Sequence, residues 1–248
     1  MQNDCKNEKF DIIIQAGQSN SEGCGFGDTD VPYVPDDRIL HMEKDFGIIV
    51  AKERVQEVNV YGHFCLSFAR EYVRNGDLQP GRKVLILRTA VGGTGFSDKR
   101  WGLGEDLYEK MMAMIKAALA LNPENKLVAL LWHQGETDAG WKATGEYYYD
   151  KLKTLVASVR DTFGNKALPF VAGDFVQEWK AKNLAQCDIV IGAMRKVCAD
   201  IGSAGFVETD GLLSNNQKNG NGDDIHFCRD ALYQMGARYY AAYRGIGK

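Results

Sequence analysis

A serine hydroxyl, an imidazole and a carboxylate together perform acyl transfer, and this sequence holds all three where a folded chain would present them to a ligand. Ser19 lies in Gly17-Gln18-Ser19-Asn20, directly after the apolar run FDIIIQA at 10–16. A serine leaving a strand offers its hydroxyl at the strand's end, with neighbouring backbone N–H groups facing a developing oxyanion. The same position suits a helix N-cap, a common use of serine. Near the other end, Asp223-Asp224-Ile225-His226 sets a carboxylate three residues before an imidazole. One turn of chain brings such an Asp back to accept the imidazole N–H, fixing the tautomer and freeing the other nitrogen as a base. A solvent-exposed turn, or a cap for the following helix, is equally compatible with the pattern.

Two more segments begin where an apolar run stops. His133-Gln134-Gly135-Glu136-Thr137-Asp138 follows KLVALLW at 126–132. Gln134 is a candidate amide donor to an oxyanion. Glu136 and Asp138 are candidate acids, orienting groups or caps, and His133 is either a second base or a structural histidine. Ala90-Val91-Gly92-Gly93-Thr94-Gly95 follows KVLILRT at 83–89, and its glycines let backbone N–H groups approach a ligand or simply make a tight turn. No Walker lysine and no G-x-G-x-x-G frame accompany it, which counts against a phosphate cradle. Ser21 stands where a G-x-S-x-G elbow would need its second glycine, which counts against an α/β-hydrolase.

The elements that must hold these residues read as an alternation of strands and helices. Continuously apolar runs predict strands at 10–16, 83–90, 126–133, 168–173 and 205–209, with a sixth at 38–42. Helical spacing recurs through Leu107, Met111, Met114, Ile115 and Ala118, and again through Leu152, Leu155, Val156, Val159 and Phe163. Residues 64–74, 183–199 and 229–244 predict three more helices. A β-α-β-α order throughout, closed by right-handed crossovers, predicts one domain over 1–248: a three-layer α/β/α sandwich on a mainly parallel sheet. The loops at 17–36 and 211–224 are long and polar, and long loops at the carboxyl ends of strands are where α/β sheets bind ligands.

Bulk properties narrow the partners. With 30 basic against 33 acidic residues, the net charge is −3 and no basic surface for nucleic acid is expected. No apolar stretch approaches the roughly 20 residues of a membrane span. The six cysteines form no C-x-x-C pair and match no zinc spacing, so reduced thiols and no metal are expected. The opening MQNDCKNEKF is polar rather than signal-like, so a cytoplasmic setting is expected unless a leader has been removed. Nothing in the sequence bears on oligomeric state.

Taken together, DIIIQAGQSNSEG at 11–23, VGGTGF at 91–96, WHQGETDA at 132–139 and DDIHF at 223–227 resemble the SGNH hydrolases. They are most similar to the branch that holds sialate O-acetylesterases and bacterial acetylxylan esterases. The resemblance implies a flavodoxin-like sandwich, an acyl-enzyme mechanism, no cofactor, and a small acetylated carbohydrate as substrate. It makes Ser19 the nucleophile, His226 the base and Asp223 its partner. The backbone N–H groups of Ser19 and Gly93 match the oxyanion donors, with the side chain of Gln134 in place of the superfamily's asparagine. Gln18, Gly92 and Glu136 are expected to support these loops. Phe96 and Trp101, just beyond Gly92-Gly93, are expected to line the sugar pocket. An esterase or thioesterase of other specificity keeps the same triad, and a non-catalytic sugar-binding protein is the remaining alternative.

Overall fold

Residues 5–247 are described by a computed structural model. The first strand, β1 (Phe10–Gly17), is buried along its whole length, and its side chains alternate between two cores. Phe10, Ile12, Ile14 and Ala16 enter one, and Ile13 enters the other. That division explains why the sequence reads as an unbroken apolar run: both faces of the strand are covered.

Six further strands complete a sheet around it. They are β2 (Ile39–Met42), β3 (Ile48–Val50), β6 (Lys83–Arg88), β7 (Lys126–His133), β8 (Phe170–Gly173) and β9 (Ala204–Val207). Their spatial order is β3-β2-β6-β1-β7-β8-β9. Every neighbouring pair is parallel except β2 and β3. Without the β2–β3 edge, the order β6-β1-β7-β8-β9 is that of a flavodoxin-like sheet. The predicted parallel three-layer sandwich is therefore the observed one.

One core packs α3 (Asp106–Ala120), α5 (Gly145–Thr162) and α7 (Leu184–Asp200) on one face of the sheet. The other packs α2 (Phe64–Arg74) and α9 (Arg229–Gly245) on the opposite face. No helix among the described residues is long and apolar enough to cross a membrane.

The strict β-α-β-α alternation fails between residues 39 and 61. There β2 is followed by antiparallel β3, then by a separate hairpin of β4 (Arg54–Gln56) and β5 (Asn59–Tyr61). These strands are three residues long, and β4 is wholly exposed. They are too short and too wet to leave an apolar signature. The two long loops are also less bare than expected. The first carries the turn α1 (Ser19–Glu22), and the second carries α8 (Asn215–Asn219).

Candidate active site

The carboxyl ends of β1 and β7 lie side by side, with Gly17 opposite His133. This is the switch point of the sheet: the chain leaves β1 towards β2 and β6 on one flank and reaches β7 on the other. Pairing continues one residue further, where the Gln18 N–H donates to the His133 carbonyl at 2.9 Å. Position 17 admits only glycine. Its φ is +119°, and a Cβ there would lie 2.1 Å from the His133 carbonyl oxygen. The tight exit turns the chain into α1 with Ser19 first in the helix.

Ser19 is not a capping residue. Gln18 occupies the N-cap position of α1 and no side chain caps the turn. The Ser19 hydroxyl lies 2.9 Å from His226 Nε2 instead. His226 Nδ1 faces both oxygens of Asp223, at 2.9 and 3.0 Å. The turn from Asp223 to His226 closes through a backbone bond as well, from the His226 N–H to Asp223 Oδ1 at 3.3 Å. A hydroxyl, an imidazole and a carboxylate in this line can pass a proton from oxygen to nitrogen and stabilise the resulting cation. Ser19 itself is 7 % exposed, while His226 and Asp223 keep about a quarter of their side chains open.

Two asparagines that sequence reasoning passed over hold this line together. Asn20 Nδ2 donates to the Ile225 carbonyl at 3.0 Å and to Glu136 Oε1 at 2.9 Å, and its Oδ1 accepts the Phe227 N–H at 3.0 Å. It therefore clamps the segment on either side of His226 to the turn that carries Ser19. Asn215 Nδ2 donates to Asp223 Oδ2 at 2.9 Å and to the Cys24 carbonyl at 3.1 Å. Its backbone N–H donates to the His226 carbonyl at 2.8 Å. Asn20 sits within the GQSN segment, so its neighbourhood was a signal. Asn215 lies in a polar loop and carries none.

Glu136 is 3 % exposed and braces Asn20, as expected of a loop support, and burial raises its carboxyl pKa above the ordinary value. His133 is fully buried against Tyr239, whose hydroxyl is 3.0 Å from Nδ1. Burial pushes its pKa down to about 3, so it stays neutral and structural.

Gly92 borders Ser19. A Cβ on Gly92 would lie 3.5 Å from Ser19 Cβ, and its N–H donates to Glu22 Oε2 at 2.7 Å. The N–H of Gly93 meets no backbone acceptor among the described residues, nor does that of Ser19. Both of these N–H groups are free of backbone partners.

Gln134 is not. It is fully buried, and its Nε2 is spent on Asp138 Oδ2 at 2.7 Å, the Thr94 carbonyl at 3.1 Å and Gln18 Oε1 at 3.2 Å. The expectation of a side-chain oxyanion donor is corrected accordingly: Gln134 ties β7 to the 94–97 loop. Asp138 completes that tie by accepting the N–H groups of Phe96 and Ser97 at 3.1 and 2.7 Å. Gln18 Oε1 in turn accepts the Thr137 N–H at 3.2 Å, so Gln18 is a support as expected.

Phe96 and Trp101 are also corrected. Both are completely buried. Phe96 stacks on Trp132 with ring centroids 5.6 Å apart, and Trp101 meets the same ring edge-on at 5.2 Å. They pack as a pillar beneath the glycine loop, with no exposed surface to offer a sugar. Trp141, one helical turn beyond Thr137, is instead 65 % exposed.

A parallel three-layer sandwich with a serine, histidine and aspartate meeting at its switch point defines the SGNH type of esterase. Residues 9–245 match the carbohydrate esterase family described as sialic acid-specific acetylesterase, and the chain belongs to that family. Its class is therefore that of the carbohydrate acetylesterases. A probable carbohydrate esterase of Arabidopsis thaliana is 24 % identical over 256 residues, covering 94 % of this chain and 89 % of the relative. A probable 9-O-acetyl-N-acetylneuraminic acid deacetylase of Escherichia coli K12 is 46 % identical over 39 residues, 16 % of this chain and 12 % of that protein. Among solved structures, NanS superposes with a TM-score of 0.78 at 18 % identity, over 96 % of this chain and 98 % of its own. A carbohydrate acetylesterase from Xanthomonas citri superposes with a TM-score of 0.61 at 18 % identity, over 95 % of this chain and 56 % of its own.

Proposed function

We propose that this chain removes acetyl groups from a sugar through an acyl-enzyme formed on Ser19. The observation that carries the reading is the unbroken line from Ser19 Oγ through His226 to Asp223, each contact within 3.0 Å. His226 takes the hydroxyl proton as Oγ attacks the acetyl carbonyl, and Asp223 stabilises the imidazolium. The oxyanion is held by the backbone N–H groups of Ser19 and Gly93. His226 then protonates the departing sugar oxygen. Water attacks the acetyl-serine by the same route, releasing acetate and restoring the hydroxyl.

For the substrate, the family description favours an acetylated sialic acid. Hydrolysis of O-acetylated sialic acid with at least tenfold higher kcat/KM than acetylated xylo-oligosaccharide is expected, and the reverse order would overturn this substrate choice.

The first test is 4-nitrophenyl acetate hydrolysis by the wild type and by Ser19→Ala, with chelator in both. Loss of at least a thousandfold in the variant is expected, since removing a member of such a triad leaves only oxyanion binding. An undiminished variant would remove Ser19 from the chemistry.

A further inference from the structure

The loop that leaves β6 runs beside β1 and is tied down residue by residue from Thr89 to Gly92. The N–H groups of Thr89 and Ala90 both donate to the Gln15 carbonyl at 3.1 Å, and that of Val91 donates to the Gly17 carbonyl at 3.1 Å. At Gly92 the strand beside it has ended and become α1. The Gly92 N–H donates instead to the side chain of Glu22, to Oε2 at 2.7 Å. The first three ties end on backbone carbonyls. The fourth, one residue before Gly93, ends on a carboxylate at the far end of the nucleophile turn.

Glu22 is itself well anchored. Its other oxygen lies 2.6 Å from Lys44 Nζ, and its carbonyl accepts from Arg88 Nη2 at 3.0 Å. Its backbone N–H donates to the Gln18 carbonyl at 2.8 Å, which closes the turn on the residue before Ser19. Gln15, opposite Arg88 in the β1–β6 register, donates its side-chain amide to the Ser21 carbonyl. A short helical turn leaves its last carbonyls without helical partners, and two strand-end side chains supply them here. Burial alone would raise the Glu22 carboxyl pKa, but Lys44, the Gly92 N–H and Arg88 outweigh it and hold the group below its ordinary value. An ionised carboxylate is a stronger acceptor for a backbone N–H than a neutral group.

These bonds connect the Gly92 N–H through Glu22 to the turn that presents Ser19. Gly93 follows at once, with a φ of +68°. We propose that Glu22 is a positioning residue for the oxyanion site: it locks the loop to α1 one residue before Gly93 and so sets the spacing between the Gly93 and Ser19 N–H groups. Its carboxylate acts through Gly92 and makes no step of the reaction itself.

Because this role presupposes an oxyanion formed at Ser19, the test reads the oxyanion directly. The probe is methylboronic acid: Ser19 Oγ bonds to boron as its proton passes to His226, giving a tetrahedral anion shaped like the acetyl intermediate. Its Ki is measured beside kcat/KM for 4-nitrophenyl acetate. Glu22→Met keeps the length of the side chain and removes the acceptor. Its kcat/KM and boronate affinity should fall together by roughly ten- to a hundredfold, at or below the cost of losing one oxyanion donor outright. Glu22→Gln, which keeps an oxygen for the Gly92 N–H, should recover most of that loss. A variant that had only lost folded protein would turn over less with an unchanged Ki, since Ki reports the molecules that remain active, and that result would overturn the proposal. So would wild-type values in Glu22→Met, or a Glu22→Gln as impaired as Glu22→Met. Ser19→Ala separates this role from the chemistry it serves. Undiminished turnover in Ser19→Ala would overturn both, whereas Ser19-dependent turnover with a fully active Glu22→Met would overturn the role of Glu22 alone.

Discussion

Asn215 illustrates what one buried amide does for a charged partner. It donates to Asp223 at 2.9 Å from a position with no exposure of its own. The carboxylate is thereby kept turned towards His226 Nδ1. Removing that bond in Asn215→Ala leaves Asp223 with its contacts to His226 but free to rotate. A hydrogen bond to a charged group contributes about 1.5–3 kcal/mol, so kcat should fall by roughly ten- to a hundredfold with KM nearly unchanged. Kinetics on 4-nitrophenyl acetate at several pH values would check it, and an unaltered kcat would sink the assignment. Ser19, Asp223 and His226 were legible because the four segments that resemble the SGNH hydrolases mark them together; a strand-end serine or a D-x-x-H spacing alone fits a cap or an exposed turn as well. Gln134, Phe96 and Trp101 were misjudged for one shared reason. Sequence locates a side chain on a loop but not the direction it faces, and all three turn inward.

At the scale of elements, the glycine loop after β6 depends on a bond network anchored in α4 (Glu136–Gly140). Asp138 accepts from Phe96, Ser97 and Gln134 at once. Gly95 passes so close that a Cβ there would lie 2.3 Å from Asp138 Oδ2 and 2.9 Å from Gln134 Nε2. Gly95→Ala should therefore displace the loop and with it the Gly93 N–H. The expected loss is about a hundredfold in kcat with the helical circular dichroism unchanged, the scale of one lost or misplaced oxyanion donor. Retention of full activity would show the loop to be dispensable. The strands carrying these loops were readable because both their faces are buried. The sixth, at 38–42, was readable too, but β3 and the β4–β5 hairpin beside it were not, since three-residue strands open to solvent need no apolar pattern.

The whole molecule keeps three histidines in its interior, and this sets how it responds to acid. His41, His63 and His133 are each at most 3 % exposed, and burial lowers the pKa of all three, that of His133 to about 3. An unfolded histidine takes up a proton near pH 6.5. Below that pH the unfolded chain binds protons that the folded one refuses, so stability falls as pH falls. For His133 the slope is about 1.4 kcal/mol per pH unit between roughly 6.5 and 3. Glu136 acts in the opposite sense: its carboxyl pKa is raised by burial, so its contribution is present in acid and lost as pH rises past the ordinary 4.5. Between pH 7 and 5 the histidines dominate, and Tm should drop steadily. His133→Gln, which still offers Tyr239 a polar neighbour, should show a shallower dependence; a Tm indifferent to pH in the wild type would contradict the account. Finally, Ser19 and His226 are 207 positions apart in the chain. Their hydrogen bond closes one of the longest loops the molecule has to tie, and long-range closures come late in folding. Turnover is then a clock for the last step of self-assembly. During refolding, esterase activity should return after helical structure does, and a chain cut ahead of Asp223, which lacks both Asp223 and His226, should never complete a reaction cycle.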